Sequence, residues 1–129
     1  MKLTRTSSYA LHAVVYIAAQ ENGKAIASHE IAKARGIPER FLLKVLKPLV
    51  GANLLTSIKG PNGGYRLVRR LRDISVLEVL EAVDGPIIGV APSHRGSHLN
   101  GKLDNICKQS AVQVRRFLDK LKLADLAKK

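Results

Sequence analysis

Five side chains in this 129-residue chain belong to types that do nucleophilic or metal chemistry near neutral pH: His12, His29, His94, His98 and Cys107. His12 and His29 fall in segments that read as helices, and neither is paired with a recognisable nucleophile and acid. His94 and His98 have the His-x3-His spacing that would put two ligands on one helix face. The segment carrying them, Pro92-Ser-His-Arg-Gly-Ser-His-Leu-Asn-Gly101, is too rich in Gly, Ser and Pro to be a stable helix. Solvated loop histidines are the default there. Cys107 falls on an apolar stripe, where a reactive thiolate is disfavoured, and a single cysteine excludes an internal disulfide framework. The glycine-rich Gly60-Pro-Asn-Gly-Gly64 follows one strand pattern and leads into another, with no Gly-Lys-Ser/Thr and no helix, so it does not read as a nucleotide-phosphate loop. No enzyme is expected.

Charge points elsewhere. The net charge is +12 and the pI near 10.3. Residues 1–72 hold 13 Lys/Arg against 3 Asp/Glu, whereas residues 73–129 hold 9 against 7. Base concentrated in one half implies a surface for a polyanion, because each phosphate neutralised releases condensed counterions. A membrane surface would need a helix with a broad apolar face opposite a cationic one, and no segment has that pattern. No run of about 18 apolar residues and no signal-peptide core is present, so a cytoplasmic protein is expected.

The elements that would display this charge are legible. Aromatics are only 4% of the chain and Trp is absent, so the core should be aliphatic and mainly helical. Ala10, Ala13, Val14, Ile17 and Ala18 have helical spacing over 6–21, with Thr6 or Ser7 as cap and Asn22-Gly23 as stop. A short second helix starts at Ser28 and ends at Gly36. Pro38 opens a third, whose buried stripe is Phe41, Leu42, Val45, Leu46 and Leu49, and Pro48 should kink or end its last turn. Glu39, Arg40, Lys44 and Lys47 face away from that stripe. Helix, tight turn, helix is the helix-turn-helix arrangement. A strand over 54–59, the turn Gly60-Pro61-Asn62-Gly63-Gly64 and a return strand over 65–68 then make a wing, flanked by Lys59 and Arg66. The fold class is therefore mainly α with a small β-hairpin wing: a winged helix-turn-helix over 1–84, a variable loop over 85–105 and a long C-terminal helix with its tail over 106–129. Cys107, Ala111, Val114, Leu118 and Leu121 recur at heptad-like intervals in that last helix, with Phe117 widening the seam. A dimer interface and packing against its own domain both give this pattern.

These residues resemble the bacterial IscR/NsrR/CymR regulators, the Rrf-two family. The likeness lies in Met1-Lys-Leu-Thr, Tyr9-Ala-Leu, Ile37-Pro-Glu-Arg-Phe-Leu and above all Ser57-Ile-Lys-Gly-Pro-Asn-Gly-Gly-Tyr-Arg-Leu67. It continues in Ile74-Ser-Val-Leu-Glu-Val-Leu-Glu-Ala-Val-Asp-Gly85 and in Phe117-Leu with Leu123-Ala-Asp-Leu, and fails around 86–105. The resemblance implies a homodimer on a pseudo-palindromic double-stranded DNA operator, probing the major groove with the third helix and the minor groove with the wing. The two-fold match to a palindrome favours the seam of Cys107, Ala111, Val114, Phe117, Leu118 and Leu121 as the dimer interface. Pro38, Glu39, Arg40 and Lys44 would then meet bases or phosphates. Lys59 with Gly60–Gly64 would reach the minor groove, and Arg5 and Ser28 would contact phosphate. Arg40 can grip a guanine edge in two places or contact phosphate alone, and both readings stand. Relatives that use a carboxylate to choose between operators carry it where this chain has Leu43.

Cluster-binding relatives hold iron through three cysteines in the loop before the last helix. Those positions fall near Gly89, Arg95 and Gly101 here, and the carboxylate of nitric-oxide-sensing relatives falls at Ser8. No iron–sulfur cluster and no other cofactor is therefore expected. The alternatives are a cluster or metal held by His94, His98 and Cys107, and a winged helix that binds RNA or has become a protein adaptor. Scarce aromatics argue against single-stranded RNA. The 86–101 loop is open to a small-molecule or protein effector.

Overall fold

In the computed structural model, which describes residues 1–20 and 23–129, six α-helices and one hairpin run in the order α1 (Arg5–Ala19), α2 (Ser28–Arg35), α3 (Glu39–Gly51), β1 (Leu55–Ile58), β2 (Gly64–Leu67), α4 (Val76–Asp84), α5 (Asn100–Lys120) and α6 (Leu123–Ala127). A single 3-10 turn, Leu71–Asp73, links the hairpin to α4. No helix among the described residues is long and apolar enough to cross a membrane.

The helix ends show which local interactions won. Thr4, not Thr6 or Ser7, caps α1, accepting from the Ser7 amide at 3.0 Å. The helix stops at Ala19. Asn22 of the expected stop lies outside the described residues. Ser28 is the first residue of α2 rather than its cap, and Ala27 precedes it without a side-chain cap. Gly36 closes α2 in the left-handed region, φ 67°, as a glycine there should. Pro48 does not end α3, since the helix continues to Gly51 and Ala52 donates to the Pro48 carbonyl at 2.9 Å. The amide that Pro48 lacks would have served the carbonyl of Lys44, a residue open to water. Ser75 and Glu78 form a reciprocal capping box on α4, at 3.1 and 2.9 Å.

The core is aliphatic throughout: every buried apolar residue is Ala, Val, Ile or Leu. Ala10, Ala13 and Val14 of α1 and Leu42, Leu46 and Leu49 of α3 are sealed together with Ile74 and Val79. The C-terminal region is part of this core. Leu118 of α5 is buried and Leu123 of α6 is fully so, while Ile74 and Leu121 accept backbone bonds from Leu123 and Val76. The long helix α5 begins at Asn100, six residues before the expected 106, and the Asn100 side chain bonds both backbone groups of His94.

Candidate nucleic-acid interface

The second and third helices meet at Gly36-Ile37-Pro38. Ile37 is buried and donates to the Ala32 carbonyl, so the turn is fixed from inside. Leu42, Val45, Leu46 and Leu49 are the buried side of α3, and Arg40, Lys44 and Lys47 stand on its exposed side. Phe41, expected in the buried stripe, does not belong there. It is 42% exposed, because it lies about 100° around the helix from Leu42. The Arg40 guanidinium lies 5.3 Å and the Lys44 ammonium 5.7 Å from its ring centre.

Ser28 and Glu39 come together. The Ser28 hydroxyl donates to the Glu39 carboxylate at 3.2 Å and joins the starts of α2 and α3. Pro38 precedes α3 as its cap residue, and Arg5 is exposed at the start of α1.

In the hairpin Leu55 pairs with Leu67, Thr56 with Arg66, Ser57 with Tyr65 and Ile58 with Gly64. Lys59, Gly60, Pro61 and Asn62 are exposed at the tip, and Arg66 is exposed on β2. The inner glycines have reasons within the chain. A Cβ on Gly63 would lie 2.1 Å from the Ile58 carbonyl oxygen, and one on Gly64 2.3 Å from the backbone of Ile26. Gly60, φ 107°, has open space around it and is the tip glycine whose bare backbone is free to approach a partner. Ile26 bridges to Tyr65, a contact with no sequence signal, since Ala25-Ile26-Ala27 is too short to read as a strand. Beyond the wing, Arg69 pairs with Glu78 at 3.1 Å and Arg70 with Asp73 at 3.2 Å, so acids offset two cations of that cluster.

On α5 the expected seam turns inward. Leu118 is in the core, Val114 and Leu121 pack against it, and Cys107 and Ala111 are half-buried. Gly89 lies against the Cys107 backbone, where a Cβ would meet its carbonyl oxygen at 2.1 Å. Arg115 pairs with Glu81 across the contact with α4. Phe117 is the exception, at 65% exposed, and belongs to a second stripe with Leu99, Leu103 and Ile106. Two helical periodicities coexist on this helix, and the seam expected from the sequence is the inward one.

The loop over 85–99 has no regular structure but is tied down. Ile87 donates to Glu81 at 2.7 Å and Ala91 to Asp104 at 3.4 Å. Lys108 pairs with Asp104 at 2.8 Å, and its hydrogen bond, followed by that from Ala91, holds the Asp104 carboxyl below the usual range. His94 and His98 are exposed. Among the described residues, no three His, Cys, Asp or Glu side chains converge as metal ligands would. An iron–sulfur cluster needs a set of thiolate or imidazole donors, and the loop offers Gly89, Arg95 and Gly101 where cysteines would stand. The residues do not fit that group.

A family model described as Rrf2, iron-dependent transcriptional regulator, matches residues 3–129. A helix-turn-helix-type transcriptional regulator of Mycobacterium tuberculosis is 31% identical over 131 residues, covering 98% of this chain and 81% of its own. The regulator IscR of Cereibacter sphaeroides is 30% identical over 136 residues, covering 99% and 88%. Among solved structures, the oxidized form of Staphylococcus aureus CymR superposes with a TM-score of 0.78 at 25% identity, covering 100% of this chain and 98% of that one. CymR of B. subtilis, at 24% identity and a TM-score of 0.79, covers 98% and 96% and shares the fold.

Proposed function

The chain belongs to the Rrf2 family and is a DNA-binding transcription regulator built on a winged helix, and from that premise we propose that it represses as a cytoplasmic homodimer on a pseudo-palindromic operator, without an iron–sulfur cluster. The observation that carries the DNA reading is the coupling of two probes to one frame. Arg40, Lys44 and Lys47 line the exposed side of α3, and the Ile26–Tyr65 bridge holds the wing to the segment entering α2. A helix and a wing fixed in this way can engage a major groove and its neighbouring minor groove together. Arg5, Ser28 and Lys47 serve as phosphate contacts in this reading, and Arg40 reads bases.

Dimerisation is supported by the outer stripe of α5. Leu99, Leu103, Ile106 and Phe117, with Ser110 and Gln113 between them, repeat at alternating intervals of four and three. Each of the four apolar members is at least 40% exposed. A long helix with one apolar stripe buried and another open suits a second copy of itself, and a two-fold dimer matches a palindrome.

The cluster-free reading rests on donor chemistry, one thiol where the cluster-binding relatives use three. Anaerobically purified protein should be colourless, with iron and sulfide far below one per chain. A stoichiometric brown chromophore would overturn it. For operator binding, footprinting upstream of the protein's own operon, beside equal lengths of duplex RNA, should protect a palindromic DNA segment. Salt-sensitive binding of equal strength to any duplex would contradict it.

A further inference from the structure

We propose that Phe41 is a specificity-determining residue whose exposed ring packs on the C5-methyl of a thymine in each operator half-site. The proposal rests on the operator-binding reading above. Phe41 is the third residue of α3, and the N-terminal residues of a recognition helix are those that reach base edges. The ring is 42% exposed beside a core that had room to seal Leu42 completely. An apolar ring open to water at that position is available to an apolar feature of whatever the helix meets.

Its surroundings narrow the partner. Arg40 and Lys44 hold their charges 5.3 and 5.7 Å from the ring centre, and neither is ion-paired among the described residues. A purely apolar partner, whether protein or lipid, would have to strip water from two uncompensated cations to reach the ring. A DNA groove offsets that penalty, because phosphates flank the base edges. The thymine methyl is the apolar feature that a base pair presents in the major groove. The cations also act on the ring itself: their attraction to its face limits its rotamers before binding. Leu43, 43% exposed, stands on the other flank of the Arg40–Lys44 row in the next turn and has no such brace.

Deoxyuridine removes the methyl and leaves every hydrogen-bonding group of thymine in place. A binding site would be selected from random duplexes with the wild-type protein. Each thymine of its half-site would then be replaced by deoxyuridine, symmetrically, and affinities measured by fluorescence anisotropy for wild type, Phe41→Ala and Leu43→Ala. One position should cost the wild type about fourfold per half-site, the value of one buried methyl-sized group. Phe41→Ala should bind more weakly and be indifferent to that substitution, while Leu43→Ala should stay sensitive. The proposal fails if no deoxyuridine is felt, if Phe41→Ala remains sensitive, or if sensitivity disappears with Leu43 instead. Failure to enrich any sequence would refute operator recognition itself, a different outcome from an enriched site whose methyls do not matter.

Discussion

Ile26 and Tyr65 exchange both of their backbone hydrogen bonds, at 2.9 and 2.8 Å, and so add a third, one-residue strand to the wing. The contact is possible because Gly64 has no side chain: a Cβ there would sit 2.3 Å from the Ile26 carbonyl. Gly64 also has φ 148°, which other residues seldom adopt. Gly64→Ala should therefore separate the wing from the segment entering α2. Chemical denaturation is expected to show a loss of about 2 kcal/mol or more from backbone strain and displacement. Gly60→Ala, in open space but also at positive φ, should cost less.

Lys59 and Arg40 should fail in different ways. Lys59→Ala is expected to weaken binding to all duplexes alike and to lower the slope of log affinity against log salt by about one for each phosphate no longer neutralised. Arg40→Ala should cost about 1–3 kcal/mol on the preferred sequence and relax preference at particular base pairs. Anisotropy titrations over a salt series on specific and scrambled duplexes separate the two. Uniform weakening for both variants would make Arg40 a phosphate contact only.

The two faces of α5 are separable by mutation. Leu118 lies in the core, so Leu118→Ala should lower stability by about 2–4 kcal/mol. Ile106→Glu, on the open stripe at 59% exposure, should leave the monomer fold intact and shift the protein from dimer to monomer. Sedimentation velocity together with thermal melts checks both. A dimer untouched by Ile106→Glu and Phe117→Glu would place the interface elsewhere.

The Asp104 carboxylate ties α5 to the preceding loop by accepting from the Ala91 amide, and within α5 it pairs with Lys108 one turn on. Its pKa is lowered in the folded chain, so its contribution is present above the ordinary carboxylate range and fades as pH falls through its lower folded value. Lys108, raised by the same bond, behaves oppositely, losing its contribution only as pH climbs through its elevated value in the alkaline range. Protection of the Ala91 amide in hydrogen exchange should thus be flat from neutral to mildly acidic pH, after correction for intrinsic exchange. Asp104→Asn should reduce it at neutral pH. Equal protection in the variant would show that the loop is held by other contacts.

The helix-turn-helix and the wing were legible because their signals are local. Gly36 must end a helix in the left-handed region, and Gly60-Pro61-Asn62-Gly63-Gly64 cannot continue a strand. Contacts set by tertiary packing were not. Phe41 adjoins Leu42 in a hydrophobic run, but no neighbouring helix reaches far enough around α3 to cover it. On α5 the stripe through Cys107 and Leu118 is apolar at each of its positions, while that through Leu103, Ile106 and Phe117 has the same spacing but is interrupted by Ser110 and Gln113. Only the placement of α4, with Glu81 opposite Arg115, decides which turns inward. The roles of Gly63 and Gly64 likewise depend on Ile58 and Ile26, which no turn pattern brings into view.

The operator recognition proposed above requires two copies of the chain on two half-sites. The most direct measurement is sedimentation equilibrium of the complex formed on the footprinted duplex, repeated with a duplex cut to one half-site. The expected mass is two chains per full duplex, with affinity falling by roughly two orders of magnitude or more on the half-site, as expected when paired contacts are divided. One chain per duplex, or equal affinity for the half-site, would contradict it.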